Sequence, residues 1–117
     1  MRRLFVDCDD TLVLWQYVER EDGLYYATPW QRNDDLIATV RRFVDDHPDT
    51  ELVIWSGGGA VYAARWAVLF FDGVECVPED KNIHYPQPGD ICVDDQPLRV
   101  ACPIYTPEEF MEVYGGR

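Results

Sequence analysis

The sequence predicts an α/β fold with an open, mainly parallel, Rossmann-like sheet and helices on both of its faces. Short apolar, β-favouring runs alternate with segments of helical periodicity along most of the chain. A length of 117 residues is enough for one layered core. Several apolar runs end in acidic or small polar residues, and parallel sheets bind ligands beyond the carboxyl ends of their strands. We therefore expect residues 1–117 to form a single three-layered domain, with no room for a sizeable second domain.

The first predicted strand covers Arg2 to Val6 and ends at a cluster of aspartates. A β-hairpin is predicted next, at about 15–27 within a flap of about 13–28. Val, Trp and Tyr favour strands there, and Asp22-Gly23 suits a two-residue turn. We expect the aromatic side chains of this segment to pack across the strands and on the core, with substrate contact as the alternative: Trp15, Tyr17, Tyr25, Tyr26 and Trp30.

The remaining predicted elements alternate between helix and strand. Asn33 can cap a helix that ends at His47-Pro48, and a strand follows at Glu51 to Trp55. The glycines at 57–59 lead into a helix that ends at about Phe71. Further strands are predicted at Val74 to Val77, at Ile91 to Val93 and near Val100–Ala101, and Thr106-Pro107-Glu108-Glu109 is a capping box that opens a helix to about Tyr114.

Composition and charge exclude several classes of protein. The chain has 22 acidic and 10 basic residues, a net charge of −12, which opposes non-specific binding to nucleic acid or anionic membranes. Its longest apolar run, Trp66 to Phe71, is far shorter than the roughly 20 residues of a membrane span. The four cysteines lack the spacing of a zinc site, so we expect reduced thiols and a cytoplasmic protein.

Polar side chains follow the predicted strands at one edge of the sheet. Several carboxylates at one place repel each other unless a cation lies among them, and a site of oxygen ligands alone favours Mg²⁺. A hydroxyl, a glycine loop and an ammonium group beside them make an anion site, so the set predicts phosphoryl transfer, in which a carboxylate can be the nucleophile. The residues are Asp7, Asp9, Asp10 and Thr11, then Ser56 and Gly57, then Lys81, then Asp94 and Asp95.

Four segments, in this order, resemble the motifs of the haloacid dehalogenase (HAD) superfamily, specifically its Mg²⁺-dependent aspartyl phosphatases. Residues 4–12, LFVDCDDTL, resemble the first motif, an apolar strand followed by DxDxT. Residues 52–57, LVIWSG, resemble the second motif, and Lys81 is similar in order to the lysine of the third. Residues 91–95, ICVDD, resemble the fourth, an apolar strand that ends in paired acids.

The resemblance implies a role for each matching residue. Asp7 would be the nucleophile, and Asp9 would protonate the leaving oxygen and later deprotonate water. Lys81 would offset the negative charge, with Arg65 or Arg99 as alternatives. Thr11 would steady the loop and orient Asp9, while Ser56 and Gly57 would bind phosphoryl oxygens. The ligands of Mg²⁺ would be the Asp7 carboxylate, the Asp9 backbone carbonyl, Asp94 and, directly or through water, Asp95.

Two acidic positions depart from this set. Asp10 stands where the superfamily often has glycine. Asp90 precedes its predicted strand, so we expect it at the opposite edge of the sheet as a solvated turn residue.

The substrate class is left open by the motifs. We expect a phosphorylated small molecule or nucleotide, with a macromolecular phosphate (on a protein or at a polynucleotide 3′ end) as the alternative and nucleic acid disfavoured by charge. A monomer or a homodimer is expected. A catalytically silent Mg²⁺-binding interaction module is a further alternative. A response-regulator receiver domain has a similar length and fold class, but its paired acids precede its phosphorylated aspartate and its lysine comes last.

Overall fold

The computed structural model describes residues 2–27 and 29–116. Met1, Thr28 and Arg117 lie outside the described residues, and with them the last position of the predicted flap and both ends of the predicted domain. Within the described residues, three helices accompany a five-stranded sheet and two small antiparallel pairs. In chain order the elements are β1 (Arg2–Asp7), β2 (Val13–Leu14), β3 (Tyr17–Glu19), β4 (Tyr25–Ala27), β5 (Gln31–Arg32), α1 (Asp34–Asp46), β6 (Thr50–Ser56), α2 (Ala60–Phe70), β7 (Cys76–Asp80), β8 (Ile91–Val93), β9 (Ile104–Tyr105) and α3 (Pro107–Tyr114).

The strands of the main sheet are parallel and lie in the order β7-β6-β1-β8-β9. The central strand, β1, has neighbours on both edges, and its Leu4, Phe5 and Val6 are fully buried. A strand covered on both faces must be apolar along its length, which is why these three residues do not alternate with polar ones. The predicted α/β class with a parallel sheet is confirmed, and the arrangement is compatible with a Rossmann-like fold.

The helices of the described residues all contribute to a core on one face of the sheet. The steps from β1 to β6 and from β6 to β7 run in the same direction, so right-handed connections place α1 and α2 on the same face. The expected layer of helices on the second face is not confirmed. The buried side chains of this core include Leu4, Val6, Leu52 and Ile54 from the sheet, Leu36, Val40 and Phe43 from α1, Ala63, Ala67 and Phe70 from α2, and Phe110 from α3.

Extended chain covers the second face instead. A separate cluster there consists of Phe5, Val53, Trp55 and Cys92. Every second residue of the following segment packs on it: Leu98, Val100, Cys102 and Ile104. The prediction of a strand near Val100–Ala101 is therefore wrong, because that stretch lies over the sheet and the chain joins β8 as β9 only at Ile104.

The third strand of the sheet lies later than predicted. β7 covers Cys76–Asp80 rather than Val74 to Val77, and it includes Pro78. Proline lacks the N–H that a central strand needs, but β7 is an edge strand, where proline is tolerated. The consequence is that Lys81 follows the strand directly, beside the end of β6.

The predicted hairpin is an antiparallel pair of β3 and β4 with a different turn. The Arg20 N–H donates to the Leu24 carbonyl, and the Gly23 N–H donates to the Arg20 carbonyl. Gly23 has φ +84°, whereas Asp22 has an ordinary negative φ, so this is not the two-residue turn that was expected. The glycine alone supplies the left-handed residue.

The aromatic residues of this region divide into two groups. Trp15 and Trp30 pack against the core, and the Trp30 ring lies edge-on to Trp66 at 4.9 Å between centroids. Tyr17, Tyr25 and Tyr26 lie on the paired strands β3 and β4 but are each more than half exposed, so their expected packing on the core is wrong.

All four cysteines lie within the described residues, and each is a free thiol, as expected. Across residues 2–27 and 29–116, no helix has the length and hydropathy that crossing a membrane requires.

Asp90 lies at the amino end of β8, away from Asp94, as expected, but it is not solvated. It is only 5% exposed. Its Oδ1 accepts from the Arg3 N–H at 3.0 Å, and its Oδ2 accepts from Arg3 Nη2 at 2.9 Å and from the Gln87 N–H at 2.7 Å. Asp90 therefore joins the start of β1 to the segment that precedes β8.

We predict that Asp90→Ala lowers the free energy of unfolding by about 2 kcal/mol, because it leaves backbone N–H groups and Arg3 without their acceptor. Urea unfolding at neutral pH measures it. Asp22→Ala, which removes an exposed ion pair with Arg20 and an exposed hydrogen bond from the Leu24 N–H, is the matched control and should change stability by less than about 0.5 kcal/mol. Equal losses in the two variants would contradict a structural role for Asp90.

Candidate active site

Four strands of the sheet end at the same edge and bring the predicted residues together. Val6 is in register with Ile54 on one side and with Val93 on the other. Asp7, the last residue of β1, and Asp94, which follows β8, are therefore side by side at the ends of neighbouring strands. Carboxylate oxygens of Asp7, Asp94 and Asp95 all lie within 4.8 Å of one another. Asp7 and Asp94 are buried, at 6% and 1% exposure.

The loop after β1 is a tight turn closed on one carbonyl. The Cys8 carbonyl accepts the N–H groups of Thr11, Leu12 and Val13 at 3.2, 2.9 and 3.0 Å. Asp10 has φ +59°, in the left-handed region. Glycine enters this region freely, and aspartate is one of the few other residues that tolerate it. Asp10 can therefore hold the left-handed position of this turn with little strain.

Lys81 lies between two of the carboxylates. Its Nζ donates to Asp7 Oδ1 at 3.1 Å and also to Asp94 Oδ2. The ammonium group is 4.8 Å from the centroid of the Trp55 ring, a cation–π contact. The Lys81 N–H donates to the Ser56 carbonyl at 2.9 Å, which fixes the backbone at the end of β7. Neither Arg65 nor Arg99 makes a hydrogen bond or ion pair with the three carboxylates in the described part of the chain.

Burial and mutual repulsion shift the pKa values of these groups. The pKa of Asp7 is raised to about 7, chiefly by burial and then by the negative charge of Asp94, with Lys81 opposing both. Burial also raises the pKa of Asp94, against the opposing hydrogen bond from Lys81. For Lys81, burial lowers the pKa, but the hydrogen bond to Asp94 and the charge of Asp7 outweigh it and the net pKa is raised.

Thr11 connects the acidic residues rather than orienting Asp9. Its Oγ1 lies 3.2 Å from Asp7 Oδ2 and 3.2 Å from Asp95 Oδ1. A hydroxyl has one proton, so it donates to one of the two at a time. The Gln96 N–H donates to Asp94 Oδ1 at 2.9 Å, and the Gln96 side chain donates to Asp95 Oδ2 at 3.1 Å. The sequence does not predict this role of Gln96. No motif marks the residue, and its contacts follow only from its position in the turn after β8.

Ser56 and Gly57 lie at the same edge beside Lys81. Ser56 is buried, and its Oγ accepts the Gly58 N–H at 3.0 Å, which leaves the hydroxyl proton free to be donated. Gly57 is exposed, and its carbonyl accepts from the Asn82 side chain at 3.1 Å. Ser56 and Gly57, the two residues predicted to bind phosphoryl oxygens, therefore lie next to Lys81 in the structure.

Asp9 lies apart from the group of three carboxylates. Its Oδ1 accepts from Tyr62 OH at 2.5 Å and from Trp15 Nε1 at 2.9 Å. The sequence predicts a packing role for Trp15 and none for Tyr62. The available signal was position, since Tyr62 is in the first turn of the helix that follows the glycine loop and so lies at the ligand-binding edge.

The chemistry of the donor set fits the expected metal. Asp7, Asp94 and Asp95 offer carboxylate oxygens only, and no His or Cys belongs to this group among the described residues. Hard divalent cations with oxygen ligands, Mg²⁺ in particular, are the ions that such a set prefers.

No protein-family model matches this chain, and neither a curated protein nor a solved structure matches it significantly. The HAD resemblance therefore depends on the four motifs alone.

We predict that Asp7→Asn stabilises the metal-free protein at pH 8. A carboxyl whose pKa is raised on folding binds its proton more tightly in the folded state, so stability falls as pH rises from about 4 to about 7. Asparagine does not ionise and escapes this loss, so the variant should gain about 2 kcal/mol at pH 8 and little at pH 4.

Urea unfolding with EDTA at the two pH values measures the difference. Asp10→Asn, an isosteric change at the exposed neighbouring aspartate, is the control and should show no such pH-dependent gain. A wild-type protein more stable than Asp7→Asn at pH 8 would contradict the electrostatic account of the site.

Proposed function

We propose that this chain is a Mg²⁺-dependent phosphomonoester hydrolase that acts through an aspartyl-phosphate on Asp7. The observation that carries the proposal is the position of Lys81 between Asp7 and Asp94, with Asp95 and Thr11 beside them, at the carboxyl edge of a parallel sheet. Three clustered carboxylates are suited to hold Mg²⁺, and this cation and the Lys81 ammonium group would together attract a phosphate ester, with one carboxylate free to act as a nucleophile.

In the first step, transfer of the phosphoryl group to Asp7, each residue of the site has a separate role. The Asp7 carboxylate forms an O–P bond as the bond from phosphorus to the leaving oxygen breaks. Lys81 and the Ser56 hydroxyl bind the phosphoryl oxygens and limit the repulsion that a dianion meets beside Asp94. Mg²⁺ held by Asp7, the Asp9 carbonyl, Asp94 and Asp95 would add Lewis-acid stabilisation of the phosphoryl charge.

Asp9 moves the proton in both steps. In its protonated form it gives the proton to the leaving oxygen, so the alcohol departs neutral and Asp9 becomes a carboxylate. It then takes a proton from the water that attacks the aspartyl-phosphate, which releases inorganic phosphate and restores both Asp7 and protonated Asp9. Its separation from the other carboxylates supports this division of roles.

The substrate class we propose is a small-molecule or nucleotide monoester. The net charge of −12 supports this because it repels polyanions at a distance. One observation favours a macromolecular phosphate as the second candidate: apart from the exposed β3–β4 hairpin, the described residues contain no inserted unit that could roof the edge. The free thiols favour a reducing compartment such as the cytoplasm.

The test is hydrolysis of 4-nitrophenyl phosphate with and without Mg²⁺. We predict turnover that EDTA abolishes and Mg²⁺ restores, with a loss of at least about 1,000-fold in kcat for Asp7→Asn, because the nucleophile is removed. Asp10→Asn is the matched control, since it makes the same chemical change three residues away, and should retain activity within about twofold of wild type.

Two outcomes would overturn the proposal. Equal activity in wild type and Asp7→Asn would show that turnover does not use this nucleophile. Mg²⁺ binding without turnover across a broad panel of phosphate esters would identify a silent interaction module instead.

A further inference from the structure

Asp9 is held by two donors on the same carboxylate oxygen. Tyr62 OH and Trp15 Nε1 both donate to Oδ1, at 2.5 and 2.9 Å. No side chain or backbone group of the described residues donates to Oδ2. The two donors come from different parts of the chain, since Trp15 lies between β2 and β3 and Tyr62 lies on α2.

The Tyr62 ring is held in position by contacts with its neighbours. It lies edge-on to Trp66, with ring centroids 6.0 Å apart. The ring also lies close to Gly58, where a Cβ would be 3.0 Å from Tyr62 Cδ2 and 3.2 Å from Cγ. Any other residue at position 58 would therefore press on the ring. Gly58 has no positive φ, so the close approach of Tyr62 is the steric reason for glycine here.

A double acceptor cannot also be the protonated oxygen of the carboxyl group, because its lone pairs already take two hydrogen bonds. The transferable proton of Asp9 must then be on Oδ2. Two fixed donors also stop the carboxyl group from rotating, which would exchange the two oxygens and withdraw the proton from the leaving group.

We infer that Tyr62 and Trp15 are positioning residues that fix the Asp9 carboxyl group with Oδ2 as its proton-carrying oxygen. This inference rests on the proposed hydrolase function. In the first step the Oδ2–H proton goes to the leaving oxygen as the P–O bond breaks, and Oδ1 keeps its two hydrogen bonds throughout. Neither positioning residue exchanges a proton with the substrate.

The test compares two esters that differ in their need for an acid. 4-Nitrophenoxide leaves as a stable anion, whereas the 4-nitrobenzyl alkoxide needs a proton as it departs. We expect Tyr62→Phe to lower kcat/KM for 4-nitrobenzyl phosphate at least tenfold more than for 4-nitrophenyl phosphate. Because kcat/KM reports the first irreversible step, the later role of Asp9 as a base does not enter.

In related variants, the size of the selective loss in kcat/KM should depend on which hydrogen bond to Asp9 is disturbed. Trp15→Phe removes the second donor and should show the same selective loss, and Asp9→Asn should show the largest. Gly58→Ala keeps both donors but pushes on the Tyr62 ring, so it should show a smaller loss of the same kind. Tyr114→Phe, which removes a phenol hydroxyl from α3, is the matched control and should affect neither ester.

Equal losses for the two esters in Tyr62→Phe, or no loss for either, would overturn the inference. A crystal structure of Tyr62→Phe gives a readout independent of activity, and we expect the Asp9 carboxyl group in more than one rotamer. A single unchanged rotamer would overturn the positioning role even if the protein hydrolyses both esters. A wild-type protein that hydrolyses neither would overturn the proposed function, while the Asp9 rotamer would still decide whether Tyr62 positions it.

Discussion

The ammonium group of Lys81, between the carboxylates of Asp7 and Asp94, is the interaction on which this edge of the sheet depends. Two carboxylates buried at the ends of adjacent strands repel each other and lose hydration, so the fold tolerates them only with a cation between them. Lys81 is the only lysine in the chain. Its place is set by the backbone, because β7 ends at Asp80 and the Lys81 N–H is tied to the Ser56 carbonyl.

The cost of this arrangement is offset elsewhere in the molecule. Burial and the charge of Asp94 raise the pKa of Asp7 to about 7, which means that its ionised form destabilises the metal-free fold at neutral pH. Stability comes instead from the two apolar clusters on either face of the sheet and from the ion pair of Asp90 with Arg3 at the amino edge. The two ends of the same strands thus differ: the carboxyl edge holds three clustered carboxylates with Lys81, whereas Asp90 at the amino edge holds an ion pair that joins two parts of the fold.

The sequence predicts those parts of the fold that depend on interactions between residues close together in the chain. The apolar run of β1, the Asn33 cap of α1 and the Thr106 capping box of α3 lie where the sequence places them. Features that depend on distant contacts were not predictable. The covering of Trp55 by the segment around Val100, the acceptor role of Asp90 and the donation from Tyr62 to Asp9 each need a partner far away in the sequence. The motifs predicted which acidic residues meet, but not that Asp9 is held apart from them.

We propose that Asp7, rather than any other carboxylate of the group, is the nucleophile that carries the phosphoryl group. Borohydride reduction of the enzyme during turnover with Mg²⁺ converts an aspartyl-phosphate into homoserine, which peptide mass spectrometry locates. The account predicts homoserine at position 7 only, and none in enzyme reduced without substrate. Homoserine at position 94, the arrangement of a phosphorylated signalling module, or no reduced aspartate in an enzyme that is turning over, would contradict it.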